Sequence, residues 1–408
     1  MTNATQTLAV KQARHCPVCE GSSAELLFQQ SFQSLDGIGL LDGFDLVVCR
    51  NCGMTFADRI PSQSVFDDYY CELSKYAYQH RGGKESPDDE WRLRQVAGSL
   101  ESLIPNRATR LLEIGCANGG LLAILKEAGY QNVFGLDPSP DCAQAARNLY
   151  GATVFTGSIF APPVGDHEYD FLVLLGVLEH IRDVRLAVRA LRRIVTDSGH
   201  VYVEVPDATN LIAERDAPFQ EFSTEHINYF SPAALSYLME AAGFRTTHAR
   251  SVVRPDRHGK PTAVVSAFFE KSTSPRTLFP RDIEAEAGLR RYIDKCREME
   301  AALWPKISAA VAAAPRLIVW GVGTHTQRLL ATGALSAANI VEFVDSNPKY
   351  QNQQLHGIQV VRPEALKGRT EPILISSCAF QKEIASQIRE MNLPNKIILL
   401  YADSTGNG

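Results

Sequence analysis

An apolar run that leads through a glycine turn into a helix constrains this chain more than any other feature. Residues 111–120 read LLEIGCANGG, and the strand-like VFGLD that follows ends at Asp137, 24 residues after Glu113. Gly115 and Gly119 can adopt backbone angles closed to other residues, so a ligand can lie directly on the turn and on the N-terminus of the helix. This layout is typical of an α/β unit that binds an adenosine group. The glycines alone would also fit a purely structural βα turn.

The two acidic residues of this unit favour one ligand. Asp137 ends the second strand, where it can accept hydrogen bonds from both ribose hydroxyls. Glu113 precedes the glycines, where it would repel a pyrophosphate but suits the cationic methionine end of S-adenosylmethionine (SAM). The third predicted strand ends where the edge of the adenine would be recognised. The fourth ends beside the sulfonium. The sequence therefore predicts a SAM site formed by Glu113, Gly115, Ala117, Asn118, Gly119, Asp137, Pro138, Ser158, Ile159 and Leu175.

Four cysteines near the N-terminus form two CxxC pairs. Cys16 and Cys19 are separated from Cys49 and Cys52 by 29 residues. Two such turns can close a tetrahedral site of four thiolates, which suits structural Zn²⁺ and leaves no open position for a substrate. The intervening segments AELLFQQSF and FDLVVC are predicted to pair as a hairpin. A redox pair and coincidence are the alternatives, and the other five cysteines are interpreted as small buried hydrophobic residues.

Strand-like and helix-like segments alternate through the centre of the chain. Strands are predicted at RLLEIG, NVFGLD, TVFTG, DFLVLLG and HVYVEV, with helices at GLLAILKEAG, PDCAQAARNLYG and VRLAVRALRRIV. This pattern predicts an α/β fold with helices on both faces of a mostly parallel sheet. We expect a central class I (Rossmann-like) methyltransferase domain at 76–280, a zinc ribbon at 1–75 and a C-terminal Rossmann-like α/β domain at 281–408.

Composition narrows the possible partners. The chain has 408 residues, 41 basic and 46 acidic side chains and a net charge of −5, so no overall attraction to nucleic acid or to an anionic membrane is expected. The first 15 residues lack the apolar core of a signal peptide, and no stretch approaches the roughly 20 apolar residues of a membrane span. We therefore expect a cytoplasmic protein, monomeric or weakly dimeric, that binds neither nucleic acid nor membrane.

Two histidines stand out as candidate catalytic groups. His180 follows the fourth strand in LEHI, and His226 follows the fifth in EHINYFSP. A histidine titrates near neutral pH, and a neighbouring carboxylate such as Glu225 can fix its tautomer and raise its basicity. His226 is the predicted general base. For His180, a structural role in the strand-to-helix turn is an equal alternative.

Taken in order along the chain, the paired CxxC ribbon, a tyrosine-rich helix, LLEIGCANG, VLEHI and EHINYFS resemble the sugar C-methyltransferases that act on nucleotide-linked deoxysugars. The resemblance extends over nearly the whole chain, because those proteins also end in a Rossmann-like domain. It implies SAM in the central domain, Zn²⁺ in the ribbon, a nucleotide-linked sugar between the central and C-terminal domains, and the histidine at 226 as base. It also implies that Tyr76 and His180 lie near the reacting carbon. O- or N-methylation of another small molecule would use the same SAM site.

A second glycine motif lies near the C-terminus. Gly321 and Gly323 follow the strand-like RLIVW, and Asp345 comes one βαβ unit later. This unit could bind the substrate's nucleotide through Thr324, His325 and Asn347, or serve as a scaffold without a ligand. A dinucleotide site, which would make the protein an NAD(P)-dependent reductase, is the rival interpretation, although the third glycine of that motif is missing. A zinc-ribbon binding module with a degenerate methyltransferase body is a third. A long helix at about 283–313 is predicted to link the domains.

Overall fold

The computed structural model describes residues 13–73, 83–213, 217–257 and 259–401, and its strands form three sheets. In chain order the strands are β1 (Ala24–Ser31), β2 (Gly43–Cys49), β3 (Thr55–Asp58), β4 (Arg110–Ile114), β5 (Asn132–Asp137), β6 (Thr153–Thr156), β7 (Tyr169–Leu175), β8 (Val195–Pro206), β9 (Asn228–Tyr229), β10 (Phe244–Pro255), β11 (Pro261–Lys271), β12 (Leu317–Trp320), β13 (Ile340–Val344), β14 (Gln354–Leu355), β15 (Ile358–Val361), β16 (Ile373–Ile375) and β17 (Ile397–Leu399).

Nine α-helices lie in the described residues, and three of those that flank the central sheet begin at a serine cap. They are α1 (Gln63–Leu73), α2 (Pro87–Glu101), α3 (Gly120–Glu127), α4 (Pro140–Tyr150), α5 (Val184–Ile194), α6 (Pro232–Ala241), α7 (Glu284–Ala313), α8 (Thr324–Ala331) and α9 (Gln381–Glu390). The side chains of Ser86, Ser139 and Ser231 each accept a hydrogen bond from the first turn of a helix that begins with proline. Serine supplies the acceptor, and proline has no N–H to leave unpaired there.

The central sheet has the order β10-β11-β8-β7-β4-β5-β6. β4 pairs in parallel with both β5 and β7, and β11 runs antiparallel to its two neighbours. The chain therefore moves outward from β4 to β6 and then returns to β7 on the other side of β4. Such a reversal opens a crevice at the carboxyl ends of the strands, which is where ligands bind in sheets of this kind.

The N-terminal sheet, in the order β1-β2-β3-β9, contains the predicted hairpin as β1 and β2. Its last strand comes from the segment that carries His226, so the first 75 residues do not complete this sheet by themselves. Phe44 and Phe66 share one apolar cluster with Phe222 and with Leu289 of α7. This packing joins three distant parts of the chain, so it holds the N-terminal sheet against α7 and against the segment before β9.

The C-terminal sheet has the order β14-β15-β13-β12-β16-β17, with all pairs parallel except β14 with β15. The predicted long helix is confirmed as α7, which buries one side against the N-terminal sheet and the C-terminal sheet. Among the described helices, none combines enough length with enough apolar character to cross a bilayer.

Candidate active site

The glycine turn after β4 has the backbone that its sequence predicts. Gly115 and Gly119 have φ values of 74° and 85°, and Ala117 between them has a φ of 45°. A Cβ atom on Gly115 would lie 2.7 Å from Cγ2 of Val177, and one on Gly119 would lie 2.9 Å from Cβ of Ala146. Both the left-handed backbone and the close packing therefore require glycine at these two positions.

Asp137 lies at the carboxyl end of β5, directly opposite this turn. Its Oδ2 accepts a hydrogen bond from the backbone N–H of Ala117 at 2.8 Å, and its Oδ1 accepts one from that of Ser139 at 2.9 Å. Burial raises the pKa of Asp137 to about 6, although both of these hydrogen bonds lower it. The carboxylate is thus held by the turn itself and has lone pairs remaining for the hydroxyls of a ribose.

Glu113 is a buried carboxyl on β4, only 6% exposed, and its Oε2 has no hydrogen-bond partner among the described residues. Its pKa is raised well above the usual value, first by burial and then by the charges of Asp137 and Glu85, while Arg92 opposes the shift. A buried carboxyl without a full set of partners is costly. A cationic ammonium group of a ligand would supply the missing partner, so Glu113 fits the methionine end of SAM.

The segment before α2 covers the turn, and the sequence reasoning missed this contact. Asn118 donates from Nδ2 to the carbonyl of Gly83 at 2.9 Å. Glu85 accepts a hydrogen bond from the hydroxyl of Tyr150. Glu85 also lies close to Gly120, because a Cβ atom added to Gly120 would be 2.5 Å from Oε1 of Glu85. In the sequence, the only sign of this contact was the polar segment RGGKES that precedes α2.

The remaining predicted cofactor residues lie at neighbouring strand ends. Pro138 links β5 to the capping residue of α4, and Leu175 is the last residue of β7. The Ser158 hydroxyl accepts a hydrogen bond from the N–H of Phe160 at 3.3 Å, and Ile159 is buried in the adjacent core. Ser158 therefore supports its own turn, and an adenine here would meet mainly backbone and apolar groups.

His180 and His226 are brought together, with their ring centroids 5.0 Å apart. His180 lies on the short 3-10 helix Leu178–His180 after β7, and Val177 just before it touches Gly115. Asn228 donates from Nδ2 to the carbonyls of Leu178 and Ile181, at 2.9 and 2.7 Å. These bonds join the two histidine loops, so both histidines lie at the same edge of the central sheet as the glycine turn.

Hydrogen bonds fix the ring of His180. Its Nδ1 lies 3.1 Å from the carbonyl oxygen of Glu225 and 3.0 Å from the hydroxyl of Tyr70. Because a carbonyl oxygen only accepts hydrogen bonds, Nδ1 carries the proton. The Tyr70 hydroxyl can then accept from the same N–H and direct its own proton elsewhere.

His226 is paired with a carboxylate that the sequence reasoning did not select. Its Nδ1 lies 3.6 Å from Oε2 of Glu221, while the side chain of Glu225 accepts a hydrogen bond from the Tyr69 hydroxyl at 3.0 Å. Burial, followed by the charge of Glu225, raises the pKa of Tyr69 well above its usual value, so this tyrosine remains a donor. Tyr76 lies outside the described residues. The tyrosine-rich segment had indicated the helix, but not which of its tyrosines would reach the histidines.

The four predicted metal ligands converge. The Sγ atoms of Cys16 and Cys52 are 3.5 Å apart, as are those of Cys19 and Cys49, and all four lie within 4.8 Å of one another. A tetrahedral site with Zn–S bonds of about 2.3 Å needs sulfur atoms roughly 3.8 Å apart. The four thiols therefore fit a structural Zn²⁺.

The second glycine motif repeats the geometry of the first. Asp345 accepts hydrogen bonds from the N–H of Val322 at 3.1 Å and from that of Asn347 at 2.8 Å, as Asp137 does in the central sheet. Space is open beside Gly323, where an added Cβ would meet nothing within 4 Å, and Thr324 begins α8. His325 instead packs inward against the Tyr401 hydroxyl at 2.6 Å, and burial lowers its pKa to about 4.

A separate cleft of about 590 Å³ lies between α2 and the outer strands β10 and β11. Tyr202, Arg254 and Ser266 form part of its lining, and Arg254 is paired there with the buried Glu204 at 2.7 Å. Among the predicted site residues that the structure describes, none lines this cleft.

Comparisons with known proteins agree with the fold. Residues 89–249 match the family model described as "Methyltransferase domain", and residues 313–399 match one described as "C2185-like, N-terminal". The first match, together with the seven-stranded sheet, confirms the predicted Rossmann-like class I methyltransferase fold. At the level of this domain the prediction of a SAM-dependent methyltransferase enzyme is also confirmed.

Individual relatives cover only part of the chain. A probable SAM-dependent methyltransferase of Mycolicibacterium smegmatis is 28% identical over 135 residues, which are 33% of this chain and 51% of that protein. A ubiquinone biosynthesis O-methyltransferase of Azorhizobium caulinodans is 27% identical over 174 residues, 40% of this chain and 68% of that protein. The crystal structure of a SAM-dependent methyltransferase from Thermotoga maritima, described as a possible histamine N-methyltransferase, is 21% identical, with a TM-score of 0.36 and coverage of 45% and 92%.

Proposed function

We propose that this chain transfers a methyl group from SAM to a carbon of a nucleotide-linked ketosugar, with His226 as the base. The observation that carries the proposal is the meeting of two histidine loops, 5.0 Å apart at the ring centroids, beside a glycine turn flanked by Glu113 and Asp137. This arrangement supplies a cofactor site and a basic group at one sheet edge. Methyl transfer to an acidic carbon needs both.

The cofactor would lie along the glycine turn. Asp137 would accept hydrogen bonds from the ribose hydroxyls, and Glu113 would pair with the methionine ammonium group, to which its buried oxygen offers a charge partner. SAM supplies the electrophilic methyl group when it is bound. The turn, closed by Asn118 and the segment at Gly83, would hold that methyl at a fixed place near the histidines.

Proton removal is the step that the protein's own residues perform. His226, with Nδ1 directed at Glu221, would use Nε2 to take a proton from the carbon next to the ketone. The C–H electron pair would form an enolate, and SAM, when bound, would supply its methyl group to the enolate carbon and leave as the neutral thioether. The products are the methylated ketone, S-adenosylhomocysteine and a protonated His226, whose charge Glu221 stabilises.

The enolate oxygen needs a hydrogen-bond donor. Tyr70, whose hydroxyl contacts Nδ1 of His180, can direct its proton to that oxygen, and His180 lines the same space. We also retain Tyr76 as a residue near the reacting carbon. The open glycine motif at Gly321 and Gly323 supports a nucleotide on the acceptor, and the four-cysteine cluster supports a structural Zn²⁺.

O-methylation is the second candidate. The relative from Azorhizobium caulinodans is named as an O-methyltransferase, and a histidine base would serve a hydroxyl acceptor equally well. In that reaction His226 would take the hydroxyl proton, and no enolate would form.

One variant pair tests the base. We expect His226→Asn to lower turnover by about 10²–10⁴-fold, the usual contribution of a general base, with unchanged affinity for S-adenosylhomocysteine by titration calorimetry. His167→Asn, at an exposed histidine near Asp197, is the control and should retain full turnover. Retained turnover in His226→Asn would remove the base from this site.

The acceptor is identified by calorimetry on the unmodified protein. S-adenosylhomocysteine and a nucleotide-linked ketosugar should each bind, and NADH should not. Binding of NADH alone would instead favour the reductase interpretation of the C-terminal glycine motif.

A further inference from the structure

We propose that Glu179, His180 and His226 form a second metal site, which takes a divalent transition-metal ion. One carboxylate oxygen and one ring nitrogen from each histidine lie within 4.8 Å of one another. The Nε2 atom of His180 is 3.8 Å from Oε1 of Glu179. Three ligand atoms from two loops therefore converge on one point at the edge of the central sheet.

The donor set distinguishes this site from the four-cysteine cluster. Two imidazoles and one carboxylate suit Zn²⁺, Co²⁺, Ni²⁺ and Fe²⁺, whereas four thiolates select Zn²⁺ strongly. Three protein ligands also leave positions open for water or another small ligand. The same chain would thus hold a closed structural site and an open one.

The groups behind the ligands support metal binding. In metal sites a ligating histidine usually donates its other N–H to a carboxylate or a carbonyl oxygen. Here Nδ1 of His180 meets the Glu225 carbonyl oxygen at 3.1 Å, and Nδ1 of His226 lies 3.6 Å from Glu221. In His180 it is Nε2 that lies on the side of the Glu179 carboxylate, 3.8 Å from Oε1.

Burial and backbone contacts hold the three ligands in place. The side chain of Glu179 is 3% exposed, and those of His180 and His226 are 16% and 22% exposed. The N–H of Ile227 donates to the Glu179 carbonyl at 2.9 Å, which links the two ligand loops directly. A carboxylate this deeply buried is stabilised by a cation beside it, and the more exposed histidines leave a route for the ion to enter.

If His226 is the base, as in the proposed function, an ion at this site would also affect catalysis. A His226 ring bound to the ion is held away from the role of removing a proton from the substrate. We therefore expect the bound ion to inhibit methyl transfer in proportion to its occupancy.

Binding is measured without turnover. The metal-free full chain is first given one equivalent of Zn²⁺, which the four thiolates take up first, and is then titrated with Co²⁺. Absorbance in the visible range and equilibrium dialysis are the readouts. We expect one additional Co²⁺ per chain. Glu179→Gln and His226→Gln should each abolish it, and Glu221→Gln should weaken it by about 10–100-fold, as loss of a supporting group does.

Controls make the outcome decisive. His167→Gln, at an exposed histidine, should bind Co²⁺ like the unmodified chain. Circular dichroism checks the fold of each variant. His226→Gln, at a less buried side chain, provides a second ligand variant if Glu179→Gln does not fold. No additional Co²⁺, or a Co²⁺ that persists in a folded ligand variant, would overturn the inference.

Activity separates this inference from the proposed function. If Co²⁺ binds through these residues and turnover falls with occupancy, both stand. If it binds and turnover is unchanged, the base assignment of His226 is wrong while the metal site stands. If no Co²⁺ binds but His226→Asn is inactive, the metal site is wrong and the base stands.

Discussion

At the residue scale, an aspartate with the same hydrogen-bond pattern occurs in both Rossmann-like sheets. Asp137 and Asp345 each accept one backbone N–H from the glycine turn and one from the residue two positions later. Burial raises the pKa of each, while these hydrogen bonds oppose the shift. The acid therefore both shapes the turn and presents its remaining lone pairs to a ligand.

Substitution of Asp137 tests this double role. Asp137→Asn replaces one acceptor oxygen with a donor, so we expect S-adenosylhomocysteine to bind more than about tenfold more weakly, the loss of at least one charge-assisted hydrogen bond. Asp141→Asn, in the exposed first turn of α4, is the matched control. Calorimetry measures both, and unaltered affinity in Asp137→Asn would move the cofactor elsewhere.

The same carboxyl predicts a pH dependence. Because the pKa of Asp137 is raised to about 6, the group gains a proton and loses its charge as the pH falls through that value. We expect the affinity for S-adenosylhomocysteine to be full above pH 7 and to fall below about pH 6, by up to about tenfold per pH unit. In Asp137→Asn this slope should disappear.

At the scale of elements, parts of the chain outside the central sheet complete the site. α1 carries Tyr69 and Tyr70 to Glu225 and His180, and β9 attaches the His226 loop to the N-terminal sheet. Arg14 is buried among these elements and donates to the carbonyls of Ala57 and Arg182, at 2.9 and 2.6 Å. The N-terminal sheet therefore positions the loop that carries His226 as well as the four-cysteine cluster.

The Tyr69 contact should matter for turnover. The Tyr69 hydroxyl donates to the side chain of Glu225, and the backbone carbonyl of Glu225 contacts Nδ1 of His180. Because Tyr69→Phe removes the first of these contacts, we expect kcat to fall by about tenfold, which corresponds to the loss of one hydrogen bond to a charged group. Affinity for S-adenosylhomocysteine should be unchanged. The control is Tyr237→Phe, on α6 beside Phe279, which should have normal kinetics. If kcat is the same in both variants, the Tyr69 hydroxyl has no part in turnover and the residue contributes only packing.

Metal content tests the cysteine cluster. Cys49→Ser replaces one of four converging thiols, and we expect loss of the tightly held Zn²⁺ by elemental analysis together with a lower thermal midpoint, because Cys49 lies within the apolar core. Cys71→Ser, at an exposed isolated cysteine, should keep one Zn²⁺ per chain. Full zinc content in Cys49→Ser would argue against a four-thiolate site.

At the scale of the whole molecule, one buried arginine connects the C-terminal unit to the N-terminal sheet and to the segment before β9. Arg328 of α8 binds both carboxylate oxygens of Glu300 on α7, at 2.8 and 3.1 Å, and also donates to Gln30 of β1. Its guanidinium lies 4.0 Å from the ring centroid of Phe219, and Gln30 donates in turn to the carbonyl of Phe222. The C-terminal glycine unit is thereby packed against the segment that leads to Glu221 and His226.

Breaking this junction should be costly. Arg328→Met leaves Glu300 buried without its partner, so we expect about 3–5 kcal/mol of lost stability in urea unfolding. The double variant Arg328→Met with Glu300→Met should recover part of that loss. Arg290→Met, which breaks an exposed pair with Glu286, should cost less than about 1 kcal/mol; an equally small cost for Arg328→Met would show that the buried pair contributes little.

Much of the central fold could be predicted because its signals are local. Hydrophobic periodicity and turn residues in the sequence predicted β4, β5, the helix after Gly119 and α4. The two CxxC pairs specified a tetrahedral cluster by spacing alone. The role of Glu221 could not be predicted, since its distance to His226 depends on how the loop between them folds.

The sequence by itself determined the α/β alternation, the glycine turn with its two acids, the four-cysteine cluster and the pair of candidate histidines. Each of these signals lies in a short stretch of sequence, a strand-turn-helix unit, a CxxC pair or a histidine beside an acid, so local backbone and chemical rules apply. Only the tertiary structure decided that Tyr69 and Tyr70 reach the histidine loops, that Glu179 joins both histidines, and that Arg328 lies between the sheets. Those contacts join residues that are far apart in the chain, and packing of distant elements is what brings them together.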